Sequence, residues 1–215
     1  MSRKTSAAIF DFDGTLTPLS INFSNLRTEV EILAQRFAEE QVIQDLSHLY
    51  IIEMIYELEE RLGQAGREFR RMAFEKLAEL ETETARGKEL YPYVREVLRD
   101  LRGKGLKVAI VTRNCLGALK NVFPDIETYV DVVMTRDDVS RVKPHPEHVN
   151  AVLAALGVVP EEAVLVGDHP TDIVAGLSIG TKTVGVLTGR SQEADLEKAG
   201  AHHIVNDIRD VERFL

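Results

Sequence analysis

Two aspartates, Asp11 and Asp13, close a short apolar run, Ala7-Ala8-Ile9-Phe10, and Gly14-Thr15 follow at once. The run has the length of a buried strand, and the glycine breaks its ladder. Residues two apart on an extended backbone leave the same side, so both carboxylates are expected together. Two like charges about 4 Å apart repel by roughly 4 kcal/mol at an effective dielectric near 20. A pair of this kind at the end of an apolar strand points to use. The competing reading is a solvated turn, where Asp and Gly are common.

Further groups with chemical potential follow downstream. Thr112 closes the apolar run from Leu106 to Val111, and Arg113 and Asn114 come directly after it. Lys143-Pro144 lies in a polar, proline-containing loop. Asp168 and Asp172 follow the apolar run Ala163 to Val166 and Gly167. Taken singly, Thr112 is a residue that ends a strand and Lys143 is a solvated loop lysine. Asp168 and Asp172 could equally be a helix N-cap with an acidic first turn, worth about 1 kcal/mol to the helix. Jointly, in this order and at strand ends, they require four coincidences.

The elements that must position these groups are legible from hydrophobic period. Phe23, Leu26, Val30, Leu33 and Phe37 recur at steps of three and four, the stripe of an amphipathic helix. Leu46, Leu49, Ile52, Ile55, Leu58 and Leu62 predict a second helix, stopped by Gly63 to Gly66. Phe69, Met72, Leu77 and Leu80 predict a third, ending near Arg86-Gly87. From Tyr91 onward helical stripes alternate with apolar runs. Pro92 opens a helix, and strands are predicted at 106–111, 129–134, 163–166, 183–187 and 203–205. Helices are predicted between them, at 149–156, 171–178 and 194–198.

Strands that alternate with helices imply parallel pairing by right-handed crossovers, hence an α/β doubly wound parallel sheet with a Rossmann-like core. The predicted core comprises residues 1–19 and 88–215, with an inserted all-helical cap at 20–87. In such sheets ligands bind at the carboxyl ends of the strands, where the polar residues above collect.

Composition narrows the function. The chain has 215 residues, 44% hydrophobic and 28% charged, which reads as globular. Its net charge of -9 argues against nucleic acid or an anionic membrane surface as partner. Cys115 is the sole cysteine, so neither a disulfide framework nor a zinc–cysteine site is available. The opening residues resemble no signal peptide or membrane anchor, and a cytoplasmic location is expected. His145 and His148, and His202 with His203, have no established ligand spacing. Arg67, Arg70 and Arg71 read as a solvated helix face.

The set Asp11-x-Asp13-Gly14-Thr15, Thr112, Lys143-Pro144 and Gly167-Asp168-x-x-x-Asp172 resembles the haloacid dehalogenase superfamily. Within it, the pattern is similar to the phosphoglycolate-phosphatase-like hydrolases with a helical cap after the first motif. The resemblance implies a Mg²⁺-dependent phosphatase acting on a small phosphorylated metabolite. Asp11 would be the nucleophile and form an aspartyl-phosphate. Asp13 would be general acid and then base, Thr112 a phosphoryl hydrogen-bond donor, and Lys143 the partner of nucleophile and phosphate. Asp11, Asp13 (through its backbone carbonyl) and Asp168 would hold the metal, supported by Asp172. Thr15, Arg113 and Asn114 are expected at the substrate.

A general acid must keep its proton well above the free carboxyl value of about 3.9, so Asp13 is expected to be less solvated than Asp11. Tyr93 and His169 depart from the family pattern. Asp13 disfavours dehalogenation, and the cap's single internal lysine, Lys76, is expected on a helix among charged neighbours, which disfavours a Schiff-base phosphonatase. The alternatives are a phosphosugar mutase of the β-phosphoglucomutase kind and a non-catalytic phosphometabolite-binding protein. A monomer or a homodimer is expected.

Overall fold

In the computed structural model, residues 4–19 and 22–215 are described. The chain divides into two compact units, Met1–Leu19 with Arg86–Leu215, and Ser20–Ala85.

The first unit is built on a six-stranded parallel sheet: β1 (Ala7–Phe10), β2 (Lys107–Val111), β3 (Val132–Met134), β4 (Ala163–Gly167), β5 (Lys182–Val186) and β6 (His203–Val205). Its spatial order is β3-β2-β1-β4-β5-β6. β1 is central, with Ala7 opposite both Lys107 and Ala163. Its four residues are all fully buried, as sheet residues covered on both faces must be. Alternate side chains leave opposite faces, so Ala7 and Ile9 pack with Ala109, Val111 and Leu165 against Val149, Val152, Leu153 and Leu156. Each such Val, Leu or Ile withdrawn from water contributes roughly 1.5–3 kcal/mol.

The second unit comprises α1 (Phe23–Ala34), α2 (Glu40–Gln44), α3 (Ile51–Leu62) and α4 (Gln64–Thr84). Leu26, Val30, Ile55, Leu58, Phe69, Ala73 and Leu77 form its core. Two expectations are corrected here. Leu46 and Leu49 lie in a turn between α2 and α3 and are not part of one long helix. They pack on the core all the same, which is why their spacing imitates a helix. Gly66 lies inside α4 and does not stop a helix. A Cβ there would stand 2.0 Å from the backbone oxygen of Glu59. This glycine therefore lets α3 and α4 approach.

The remaining helices of the first unit are α5 (Val94–Gly103), α6 (Leu116–Val122), α7 (Pro146–Leu156), α8 (Pro170–Ile179) and α9 (Glu193–Ala199). Pro92 precedes α5 in a turn instead of opening it. β3 is shorter than the apolar run predicts. Residues Ile126–Thr128 form a 3₁₀ turn, and the Tyr129 ring packs on Phe123 with centroids 5.5 Å apart, which keeps 129 out of the sheet. Pro146 and Pro170 each occupy the first turn of their helix, where a missing N–H costs nothing. The preceding histidines, His145 and His169, cap those helices through Nδ1.

Candidate active site

The groups singled out in the sequence meet at the carboxyl ends of β1, β2 and β4. Backbone pairing continues one residue past β1, since the N–H of Asp11 donates to Val166 O at 2.8 Å. After it the chain coils: Leu16 N donates to Phe12 O at 2.8 Å and Gly14 N to Thr17 O at 2.9 Å. Gly14 supplies the positive φ of 89° that this coil needs. Asp13 is thus on a coil, not on an extended strand. The relative burial of the pair is the reverse of the expectation: Asp11 is 8% exposed, whereas Asp13 is half-buried. The reason is position, because Asp11 remains in the sheet and Asp13 rides on the coil beyond it.

Lys143 is the centre of charge. Its side chain is fully buried, with Nζ 2.7 Å from Asp11 Oδ1 and 2.6 Å from Asp172 Oδ1. Nζ also donates to Val111 O at 2.8 Å, so the end of β2 fixes the ammonium as well. Burial by itself would push the ammonium down, but the two carboxylates outweigh it and hold Lys143 above the ordinary lysine value. Burial raises Asp11, to about 7, against the lowering effect of Lys143. Burial likewise raises Asp168, to about 8, with the charges of Asp11 and Asp172 adding to it.

Oxygens of Asp11, Asp168 and Asp172 lie within 4.8 Å of one another, a group able to hold a metal ion. One ammonium among three carboxylates leaves a surplus of negative charge when all are ionised. An all-oxygen donor set with that surplus fits a hard divalent cation such as Mg²⁺. Asp172 also serves its own helix, because its Oδ2 accepts from the N–H of His169 at 3.1 Å and closes a capping box at the start of α8. Asp172 thus caps its own helix through Oδ2 and meets Lys143 through Oδ1.

Backbone presses closely on Asp168. A Cβ on Gly189 would come within 1.7 Å of Asp168 Oδ2, and one on Gly14 within 2.6 Å. Tyr91 and Thr188 tie these two glycine segments together. Thr188 Oγ1 donates to Gly14 O at 2.6 Å, and Tyr91 Oη donates to Thr188 O at 3.1 Å.

Three side chains expected at the substrate bond to other residues of the site, two to carboxylates and one to a backbone carbonyl. Thr15 is fully buried and donates to Asp168 Oδ1 at 3.2 Å. Asn114 Nδ2 donates to Asp13 Oδ2 at 2.9 Å, while its Oδ1 accepts from Cys115 N at 2.8 Å. Arg113 Nη1 donates to Lys143 O at 3.0 Å. Thr112 is buried and its Oγ1 accepts from Asn114 N at 3.1 Å. Arg136 was not singled out by sequence. It is buried, and it holds this segment by its backbone N–H on Asn114 O at 3.2 Å and its Nη1 on Arg113 O at 2.9 Å.

The doubly wound domain thus gathers a buried lysine and a cluster of carboxylates at its central strand ends. The haloacid dehalogenase-like hydrolase family model matches residues 8–186. The chain belongs to that family. It is 31% identical to the pyrophosphatase PpaX of Bacillus mycoides, over 97% of this chain and 95% of that one. To PpaX of Bacillus cereus it is 38% identical over 125 residues, a stretch covering 57% of this chain and 58% of that relative's length. Among solved structures, it is similar to a hydrolase from Pseudomonas syringae, with a TM-score of 0.72, 24% identity and 98% and 97% of the two chains covered. CbbY from Rhodobacter sphaeroides, crystallised with phosphate, gives a TM-score of 0.65 at 20% identity, covering 96% of each chain.

Proposed function

We propose that this hydrolase is a Mg²⁺-dependent phosphatase acting on small phosphorylated metabolites through an aspartyl-phosphate at Asp11. The observation that carries the reading is Lys143 Nζ seated between Asp11 and Asp172, with Asp168 in the same cluster. That arrangement leaves Asp11 ordered and accompanied by a cation, as a carboxylate nucleophile towards phosphate requires.

Asp11 attacks phosphorus, and the bond to the leaving oxygen breaks. Asp13, oriented by Asn114, gives that oxygen its proton. It then takes a proton from the water that attacks the aspartyl-phosphate, and the Asp11–phosphorus bond breaks to release phosphate. Thr112 donates its hydroxyl hydrogen to the phosphoryl oxygens, and Lys143 offsets their charge. Asp11 and Asp168, with the backbone carbonyl of Asp13, would hold Mg²⁺, which supplies further neutralisation of the phosphoryl group. Asp172, paired with Lys143, supports this set.

Residues 20–87 are assigned the role of closing over the site, excluding water and selecting the leaving group. The first proposed hinge, Leu19 to Asn22, contains Ser20 and Ile21, which lie outside the described residues. The second, Gly87 to Tyr91, ends firmly: Tyr91 N donates to Leu16 O at 3.0 Å, and Thr17 Oγ1 donates to Glu89 O at 2.8 Å.

The likeness to PpaX over nearly the whole chain favours a second reading, hydrolysis of pyrophosphate by the same residues. Phosphate release from p-nitrophenyl phosphate, pyrophosphate and a panel of phosphorylated metabolites, each with Mg²⁺ and with EDTA, distinguishes the two. Turnover that persists in EDTA, or product that retains its phosphoryl group as a mutase would leave it, refutes the proposal.

A further inference from the structure

Lys143 is gripped by its backbone as well as by its ammonium. Its carbonyl accepts from Arg113 Nη1 at 3.0 Å, and its N–H donates to His148 Nδ1 at 3.3 Å. The two side chains come from opposite sides, one from the segment after β2 and one from the first turns of α7. Pro144 and Pro146 bring no N–H of their own, so this loop has few backbone handles. His145 N uses one of them, donating to Val142 O at 3.0 Å. The N–H of Lys143 would be left buried without a partner if position 148 offered no acceptor.

His148 is 0% exposed, and the neighbouring buried residues of α7 (Val149, Val152, Leu153 and Leu156) are all apolar. Burial at this place therefore does not call for a histidine. The ring also carries a penalty that a leucine would avoid: Nε2 is buried and makes no hydrogen bond of good geometry, although the carbonyls of Met134 and Thr135 lie near the ring. Burial pushes the imidazole down to about 3, with the Lys143 charge adding to the effect. The ring is accordingly neutral, and an Nδ1 that accepts from Lys143 puts the proton on Nε2.

We infer that His148 is a positioning residue: with Arg113 on the carbonyl, it fixes the Lys143 peptide so that the ammonium reaches Asp11 and Asp172 together. The kinetic consequence rests on the phosphatase reading, whereas the clamp itself does not.

Long-range ¹H–¹⁵N spectra of the wild-type imidazole are expected to show the Nε2–H tautomer, unchanged from about pH 5 to about pH 8. An Nδ1–H tautomer overturns the inference whatever the enzyme's activity. His148→Leu is expected to lower kcat for p-nitrophenyl phosphate about tenfold while KM stays within about twofold. It should also raise labelling of Lys143 by reductive methylation severalfold, read by peptide mass spectrometry. His148→Asn, whose side-chain oxygen can take the same N–H, is expected to recover most of both losses. Wild-type kcat and Lys143 protection in His148→Leu, or an Asn variant no better than the Leu variant, overturns the inference. A wild-type protein that turns over no phosphoester removes the phosphatase reading instead, and tautomer and labelling then decide the clamp alone.

Discussion

At the residue scale, the proposed nucleophile and the carboxylate beside it give the sharpest expectations. Asp11→Asn keeps the shape of the side chain and removes its nucleophilic oxygen, so phosphate release should fall by about 10³-fold or more. The check is steady-state phosphate release together with acid-quench trapping of the phosphoenzyme; near-native turnover in the variant would sink the assignment. Gly189→Ala should be nearly as damaging for a steric reason, because its Cβ would intrude within 1.7 Å of Asp168 Oδ2. It is expected to weaken Mg²⁺ binding, measured by calorimetry, while the circular dichroism spectrum stays native. Asp11, Asp13 and Asp168 could be singled out in the sequence because each follows an apolar run that sets a strand end, whereas Lys143, in a polar loop nine residues past β3, stood out only through the resemblance of its Lys-Pro pair to a family motif. The contacts of Thr15, Asn114 and Arg113 were not legible. Their partners lie 153, 101 and 30 positions away, and no period in the chain encodes where a side chain points on a coil. His148 left no signal at all, since its value is a single acceptor atom.

At the scale of elements, sheet strands were easier to read than helix ends. Strands covered on both faces appear as unbroken apolar runs, and β6 (His203–Val205) matches its predicted span. The helical unit was harder, because Leu46 and Leu49 bury themselves from a turn and so continue the stripe of α3 without belonging to it. Gly66 misled for a related reason: a glycine needed for close approach looks like a glycine needed for a stop. This reading has a measurable consequence. Gly66→Ala raises intrinsic helix propensity yet forces a methyl into Glu59 O, and it is expected to destabilise the helical unit by roughly 1–3 kcal/mol. Urea unfolding followed by circular dichroism tests this, and a variant as stable as the parent would show that α3 and α4 are not tightly apposed there.

At the scale of the whole molecule, the acidic cluster is expected to link stability to pH and, on the proposed function, to metal. Asp11 and Asp168 are raised from 3.8 to about 7 and about 8, so between those limits the folded protein binds protons that the unfolded chain does not. The stabilisation from their neutral forms is complete below about pH 4 and is lost as pH rises through about 7 to 8. The protein in EDTA should accordingly have a lower Tm at about pH 8.5 than at about pH 5. Mg²⁺ should restore most of the difference at the higher pH and do little at the lower, where protons occupy the oxygens it needs. Scanning calorimetry in EDTA and in Mg²⁺ across that range provides the measurement. A Mg²⁺ effect independent of pH would show that the carboxylates do not share the ion.

β1 lies in the middle of the sheet, but its neighbours β2 and β4 begin at Lys107 and Ala163. On the ribosome, about a hundred residues must emerge after Phe10 before either edge of that strand can be covered, some 5–20 s at ordinary rates of synthesis. Ala-Ala-Ile-Phe waits through that interval as a bare, greasy tetrapeptide attached to a growing chain. Slowing translation beyond Ala85 lengthens that interval and should lower the soluble yield.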